Sequence, residues 1–141
     1  MAGSITIHGP ARRARAAGFT LLEVMVTVVI VAILASIALP MYVEHVRRGK
    51  VTEIASVLGN GQVELEQFYL DNKTYVDGPC PASTKAFAVT CAVAANTYTI
   101  TGTGDTDMSG FVYTIDQSDA KTTAGPWGSG SCWIMRKGDT C

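Results

Sequence analysis

One carboxylate, Glu23, lies inside a long apolar stretch and is the side chain of this sequence best placed to do chemistry. No other residue from Gly18 to Val43 is charged. A carboxylate within a membrane helix costs about 2.5–3.5 kcal/mol on insertion scales, so it usually has a partner or a function. A cut between Gly18 and Phe19 would create an α-amino group one helical turn from Glu23, and such an amine is mostly cationic at neutral pH. With such a cut, the spacing predicts an amine–carboxylate pair at the head of the apolar stretch.

Four cysteines form the second set of reactive side chains, and all lie beyond the apolar stretch: Cys80, Cys91, Cys132 and Cys141. An even number of cysteines in a small exported domain predicts disulfides. We favour the pairs Cys80–Cys91 and Cys132–Cys141, because each pair is close in sequence and is flanked by turn residues. A zinc site is the competing interpretation, but no Cys-x-x-Cys pair and no nearby histidine supports it.

The apolar stretch, residues 19–43, is long enough to cross a membrane, which takes roughly 20 apolar residues. A secretory signal has a shorter apolar core of about 7–15 residues, so a signal peptide cut after Ala38 is a weaker alternative. A plain single-pass anchor is the other alternative. Three arginines precede the stretch: Arg12, Arg13 and Arg15. Because basic residues tend to stay in the cytoplasm, the chain after residue 43 is expected outside.

The run Gly18-Phe19-Thr20-Leu21-Leu22-Glu23, followed by an apolar helix, closely resembles the class III signal of type IV pilins and pseudopilins. The resemblance implies that a prepilin peptidase cuts after Gly18 and removes residues 1–18 as a cytoplasmic leader. It also implies that Phe19 is then N-methylated, that Glu23 pairs with the N-terminal amine of a neighbouring subunit, and that the helix becomes the core of a filament.

Residues further along the chain extend this resemblance. Pro40, Tyr42 and the pair Arg47-Arg48 look like the corresponding helix of the family, which is matched strongly over roughly residues 12–70. The later runs Thr-Tyr-Thr-Ile, Tyr-Thr-Ile-Asp-Gln and Ser-Cys-Trp are most similar to minor pilins of the PilE type.

The periodicity of the chain after residue 43 predicts a helix followed by strands. Apolar residues after residue 43 recur at spacings of three and four, which is typical of an amphipathic helix. Four short runs are predicted as antiparallel strands: residues 97–101, 111–115, 121–123 and 132–135. Residues 80–91 are expected to form a loop. The predicted fold class is therefore α+β with a type IV pilin fold: a long N-terminal helix (residues 19–70, with the membrane segment 19–43), packed on a small antiparallel β-sheet of about four strands within residues 71–141.

Several residues are weak points of the predicted helix. Pro40 should kink it, and each glycine, at Gly49, Gly59 and Gly61, costs about 1 kcal/mol relative to alanine. Two explanations stay open for the glycines: a rod that must bend or partly unwind, or close approach of the strands to the helix. Asp71-Asn72-Lys73 is expected to end the helix.

Composition and motifs argue against an enzyme. The formal charge of the whole chain is −1, and without the three arginines of residues 1–18 it falls to −4. A net negative charge does not indicate nucleic-acid binding, which typically uses a basic surface. His45 stands beside arginines and not in a catalytic constellation, and the sequence predicts no cofactor. Four aspartates, Asp105, Asp107, Asp116 and Asp119, offer hard oxygens for calcium, but their spacing does not fit an EF-hand, so no metal is predicted.

The resemblance implies a structural function: a subunit, of the minor type, in a type IV pilus that serves adhesion or twitching motility. The expected location is the bacterial inner membrane, in a single pass with an outer C-terminal domain, and afterwards the extracellular fibre. A second hypothesis is a pilin that captures DNA through a basic strip near Trp127 or Trp133, formed by Lys85, Lys121, Arg136 and Lys137. A third is a pseudopilin of a type II secretion system.

Overall fold

The computed structural model describes residues 18–141, so most of the predicted leader lies outside the described residues. One helix and four strands follow each other along the chain: α1 (Leu21–Asn72), β1 (Phe87–Val93), β2 (Tyr98–Gly104), β3 (Val112–Asp116) and β4 (Lys121–Ala124). The chain divides into two compact units at the Leu39–Pro40 bond. The helical assignment continues through Pro40, and the kink stays a prediction.

The strands form an antiparallel meander in the order β1-β2-β3-β4. Within the unit that begins at Pro40, the helix buries one stripe, at spacings of three and four: Val51, Ile54, Ala55, Leu58, Gly61 and Leu65. The buried face of the sheet carries Phe87, Tyr98, Ile100, Tyr113 and Ile115. A Cβ atom on Gly102 of β2 would lie 2.7 Å from Ile54 Cγ1, so the sheet approaches the helix closely there. The expected helix-on-sheet arrangement is confirmed.

Two parts of the sheet differ from the prediction. Residues 87–91, expected in the cysteine loop, belong to β1, which continues to Val93. Residues 132–135 form no strand, because the amide of Ile134 donates to the Thr123 hydroxyl instead of to a strand carbonyl (3.0 Å). The same hydroxyl donates to the Cys132 carbonyl (2.8 Å). The buried Tyr113 hydroxyl completes the attachment by donating to the Ile134 carbonyl (2.8 Å), and burial raises the pKa of Tyr113 to about 12.

The helix ends as expected at the Asp71-Asn72-Lys73 run. Lys73 adopts a left-handed conformation with φ of 58°, and its amide donates to the Tyr69 carbonyl (2.8 Å). A left-handed residue after the last turn is a common helix terminator, usually glycine.

The helix glycines separate into two kinds. A Cβ atom on Gly61 would lie 2.1 Å from Pro81 Cγ and 3.2 Å from Ile100 Cδ1, whereas one on Gly49 or Gly59 would meet nothing within 4 Å. Close approach therefore explains Gly61 and leaves Gly49 and Gly59 without a packing reason inside one chain.

We expect opposite effects from two alanine substitutions two residues apart. Gly59→Ala should raise the unfolding free energy of fragment 40–141 by up to about 1 kcal/mol, because alanine favours the helix and space is available. Gly61→Ala should lower it by about 1–3 kcal/mol, because the new methyl group overlaps Pro81. Urea unfolding of the fragment measures both, and changes of the same sign would contradict the packing argument.

Candidate functional site

The head of α1 is a capped helix end. Thr20 precedes the first helical residue, and its hydroxyl accepts a hydrogen bond from the Glu23 amide (3.1 Å). Its carbonyl accepts from the Val24 amide (3.2 Å). An N-cap side chain that accepts from the third helical residue satisfies an amide that otherwise has no helical partner. Glu23 therefore occupies the third helical position, where its negative charge also favours the helix dipole.

The helix that follows this cap is apolar and unburied over its first half. By length and composition, Leu21–Asn72 can cross a membrane. No residue of 18–39 is buried, and Phe19, Leu21 and Leu22 are more than two-thirds exposed. An apolar surface of this size on a soluble monomer marks an interaction site. This part of the chain therefore needs lipid or other helices around it.

Glu23 has no ion-pair partner within residues 18–141. Its side chain is exposed on the apolar helix. The predicted partner, an amine on Phe19, exists only after a cut behind Gly18. The geometry thus places Gly18, Phe19 and Glu23 together at the head of the helix, and it shows that Thr20, which the sequence analysis did not single out, holds the first turn.

The four cysteines pair as predicted. Cys80 is bonded to Cys91, with Cα atoms 5.8 Å apart, and Cys132 is bonded to Cys141, with Cα atoms 5.5 Å apart. The first disulfide joins β1 to the segment that reaches Gly61 through Pro81. The second closes an exposed loop that follows the segment attached to Thr123.

The predicted basic strip divides into two parts. Lys121 begins β4, and its ammonium group lies 5.2 Å from the centre of the Trp133 ring. Arg136 and Lys137 are exposed in the adjoining disulfide loop. Lys85 precedes β1, on the opposite edge of the sheet and at the opposite end of the strands. The prediction of one basic strip that includes Lys85 is therefore wrong.

The two tryptophans also differ. Trp127 is 8% exposed and packs edge-on against Phe111, so it offers no ring to a ligand. Trp133 is half-buried, and its indole N–H donates to the Thr114 carbonyl (2.8 Å). Only Trp133 of the two lies beside a basic group, Lys121.

The aspartates considered for calcium separate into two pairs at opposite ends of β3. Asp107 accepts a hydrogen bond from Lys50 of the helix, which lowers the pKa of Asp107, and Asp105 accepts from the Thr106 amide (2.6 Å). Asp119 lies 3.0 Å from the Lys121 ammonium group, and that contact lowers its pKa. Asp116 accepts from the Ser118 hydroxyl and from two backbone amides, and its pKa is lowered as well.

A cluster of tyrosines around Glu66 was not predicted. The Tyr75 and Tyr98 hydroxyls both donate to the Glu66 carboxylate, at 3.1 Å. Burial, and then the hydrogen bond to Glu66, raise the pKa of both tyrosines. Tyr69 stacks on Tyr75 with ring centroids 4.5 Å apart. The cluster fastens the end of the helix to β2 and to the segment after the helix, which is a structural function.

Family models of known proteins match both the N-terminal part of the chain and the part after it. Residues 13–39 match a family model described as a prokaryotic N-terminal methylation motif. Residues 40–131 match one described as "Type IV minor pilin ComP, DNA uptake sequence receptor". No solved structure matches the chain.

Curated relatives are also fimbrial proteins. The chain is 34% identical over 76 residues to the fimbrial protein EcpC of Eikenella corrodens, covering 54% of this chain and 46% of the relative. It is 41% identical over 56 residues to the type IV major fimbrial protein FimA of Dichelobacter nodosus, covering 40% and 36%. It is 37% identical over 68 residues to a fimbrial protein of Pseudomonas aeruginosa, covering 48% and 44%. The chain thus spans less than half the length of each.

The capped apolar helix head, the four-stranded meander on the helix and the model that covers residues 40–131 agree with one another. The chain belongs to the type IV pilins, in the family whose model is described as type IV minor pilin ComP.

Proposed function

We propose that this protein is a minor subunit of a type IV pilus that assembles through its N-terminal helix. A prepilin peptidase removes residues 1–18 and methylates Phe19. Residues 19–43 hold the subunit in the bacterial inner membrane, in a single pass with residues 71–141 outside, until it enters the extracellular fibre. Its work there is structural and serves pilus biogenesis, adhesion or twitching motility.

One observation carries this proposal: residues 21–43 of α1 carry no charge except that of Glu23, none of them is buried, and the helix begins in a capped first turn that contains this carboxylate. Lipid can cover such a helix before assembly, and the helices of other subunits can cover it afterwards. A simple membrane anchor does not require Glu23 and would be disfavoured by it, because an unpaired carboxylate inside a membrane is costly.

Mass spectrometry of the protein from membranes and from sheared surface fibres tests the proposal. We expect a chain that begins at Phe19 with one added methyl group, present in both fractions. Gly18→Leu is the control, because a bulky side chain blocks close approach of the peptidase to the backbone, and this variant should stay uncut and outside the fibre. A mature chain found in membranes and never in fibres would support a pseudopilin of a type II secretion system instead.

A second function, DNA capture, is favoured by the family model that spans residues 40–131. The corner formed by Lys121, Trp133, Arg136 and Lys137 is the surface that supports it. Lys121 has an ion pair with Asp119 at 3.0 Å and Arg136 has one with Asp139 at 3.4 Å, whereas Lys137 forms none within the described residues. Phosphate contacts by these groups would give an affinity that falls with salt.

Retention of fragment 40–141 on duplex DNA at low salt tests this second function. Neutralising Arg136 and Lys137 together, as Arg136→Gln and Lys137→Gln, should weaken retention and reduce the slope of log affinity against log salt by about one for each phosphate that is no longer neutralised. Lys85→Gln is compared with Lys137→Gln alone as the matched pair, because each removes one exposed charge and Lys85 lies on the opposite edge of the sheet. No retention of the unaltered fragment, or equally weakened retention in these two single variants, would remove this corner as the DNA site.

A further inference from the structure

The start of α1 is capped by one hydroxyl group. Thr20 accepts from the Glu23 amide through Oγ1 and from the Val24 amide through its carbonyl. Threonine followed three residues later by glutamate is the sequence of a capping box. Residues 18–20 carry no helical assignment, and α1 begins at Leu21.

This cap leaves the Gly18–Phe19 peptide bond outside the helix. The Thr20 carbonyl accepts the first helical hydrogen bond, and the Gly18 carbonyl lies two residues before it. Hydrolysis adds water across this bond: the hydroxyl goes to the Gly18 carbonyl carbon and a proton goes to the Phe19 nitrogen. The carboxylic acid formed then gives its proton to the amine, which leaves a carboxylate and an ammonium group. A peptidase must bring a nucleophile to that carbon and donors to its oxygen. Inside a helix the oxygen already accepts from the amide four residues on.

The sequence around the cap offers a competing start. Ala16 and Ala17 before it and Leu21 and Leu22 after it are strong helix formers. Glycine is itself an acceptable N-cap residue. A helix that began after Gly18 would place the Gly18 carbonyl in a hydrogen bond with the Leu22 amide and withdraw it from the peptidase.

We propose that Thr20 is a positioning residue for leader cleavage, whose hydroxyl fixes the helix start so that the Gly18 carbonyl stays free of the helical ladder. This inference rests on the proposed function, since it takes the cut to lie between Gly18 and Phe19. Thr20 acts here through its contact with the Glu23 amide and not through a contact with the peptidase.

Four substitutions separate capping from shape. Serine and asparagine cap helices although their shapes differ from that of threonine, valine has the shape of threonine without the hydroxyl, and alanine has neither. The full-length chain in membranes with its peptidase is the substrate, and the initial rate of release of residues 1–18 is measured. Thr20→Ser and Thr20→Asn should be cut within about twofold of the unaltered chain. Thr20→Val and Thr20→Ala should be cut about 5–30-fold more slowly, which corresponds to about 1–2 kcal/mol, from the typical value to the upper end of the range for removal of a cap.

Amide hydrogen exchange of the uncut chain in micelles supplies a readout that does not depend on the peptidase. In Thr20→Val the Leu22 amide should gain protection, because it would donate to the Gly18 carbonyl. In Thr20→Asn it should exchange as in the unaltered chain. The paired result, slow cleavage with Leu22 protection in the valine variant and neither in the asparagine variant, supports the inference.

Three other results would overturn it in distinguishable ways. If Thr20→Val is cut as fast as the unaltered chain, the cap does not govern cleavage. If Thr20→Val is cut faster than Thr20→Asn, the peptidase reads the shape of residue 20 and the cap is incidental. If the unaltered chain is not cut between Gly18 and Phe19 at all, the proposed processing fails together with this inference, whereas the first two results leave that processing intact.

Discussion

Glu23→Gln is expected to leave the protein processed and inserted in the membrane while its amount in sheared fibres falls at least about tenfold. Breaking a buried ion pair by removing one charge is strongly destabilising, at about 3–5 kcal/mol, because the other charge is left uncompensated. Under the proposed assembly, the charge left would be the cationic amine of Phe19 on the neighbouring subunit. A tenfold loss needs only about 1.4 kcal/mol of this.

Glutamine is the informative replacement because it keeps the local structure of the helix head. Glu23 lies at the third helical position behind the Thr20 cap, and this cap contacts the backbone amide of residue 23, which glutamine retains. It also removes a charge from an otherwise uncharged stretch, which should ease membrane insertion. The expected loss is therefore restricted to the step in which an amine of a second subunit meets this carboxylate.

The measurement is a pair of quantities on one variant: the processed fraction in membranes and the amount in sheared fibres. Glu64→Gln is the matched control, since Glu64 is an exposed glutamate of the same helix within the unit that begins at Pro40. It should match the unaltered protein in both quantities. Normal incorporation of Glu23→Gln would remove Glu23 as an assembly contact, and loss of processing would mean that the peptidase reads this residue.

The parts of the fold that the sequence predicted are those with a visible period. The alternation of apolar and polar residues in 97–101 and 111–115 located β2 and β3. The spacing of apolar residues by three and four located the part of α1 after residue 43. Strand β1 was missed because its outward side chains are Ala88, Thr90 and Ala92, which differ too little from its inward ones to give a clear alternation. Residues 132–135 look like a strand in sequence because Trp133 and Ile134 are apolar, whereas the buried hydroxyls of Thr123 and Tyr113 hold them.

The candidate site divides in the same way. The isolated charge of Glu23 is visible from residue types alone, whereas the cut between Gly18 and Phe19 is implied by the resemblance to type IV pilins. Thr20 was available from the Thr-x-x-Glu pattern. The basic corner was only half predictable, because strand order decides that Lys85 and Lys121 lie on opposite edges of the sheet. The tyrosines around Glu66 join residues 32 apart in sequence, and no local pattern indicates such a contact.

The two disulfides are expected to contribute very different amounts to stability, although their loops are nearly equal. The sequence separations are 11 and 9 residues, so the chain-entropy model gives both a similar effect on the unfolded chain, about 2–3 kcal/mol. The stabilisation depends on how much more conformational entropy the bond removes from the unfolded chain than from the native state. It reaches this full value only where the native loop stays ordered without the bond.

The segment closed by Cys80–Cys91 stays ordered and carries structure. Pro81 packs against Gly61 of the helix. Ser83 accepts from the Val89 amide (2.9 Å), and the Thr84 amide donates to the Phe87 carbonyl (2.9 Å), so this segment covers the free edge of β1. An uncovered edge strand is also a template for aggregation.

The loop closed by Cys132–Cys141 differs, because the attachment of Trp133 and Ile134 to Thr123 and Thr114 does not pass through the bond. Residues 136–141 are mostly exposed. Without the bond they gain freedom in the native state too, which offsets the freedom gained on unfolding.

We therefore expect Cys80→Ala with Cys91→Ala to cost fragment 40–141 about 2–4 kcal/mol, and Cys132→Ala with Cys141→Ala to cost about 1 kcal/mol or less. Thermal unfolding measures both double variants; since 1 kcal/mol corresponds to about 4–8 °C in a domain of this size, the midpoints should differ by more than about 5 °C. Equal midpoints would show that the second loop is as ordered as the first, and that contacts beyond those of Trp133 and Ile134 hold it.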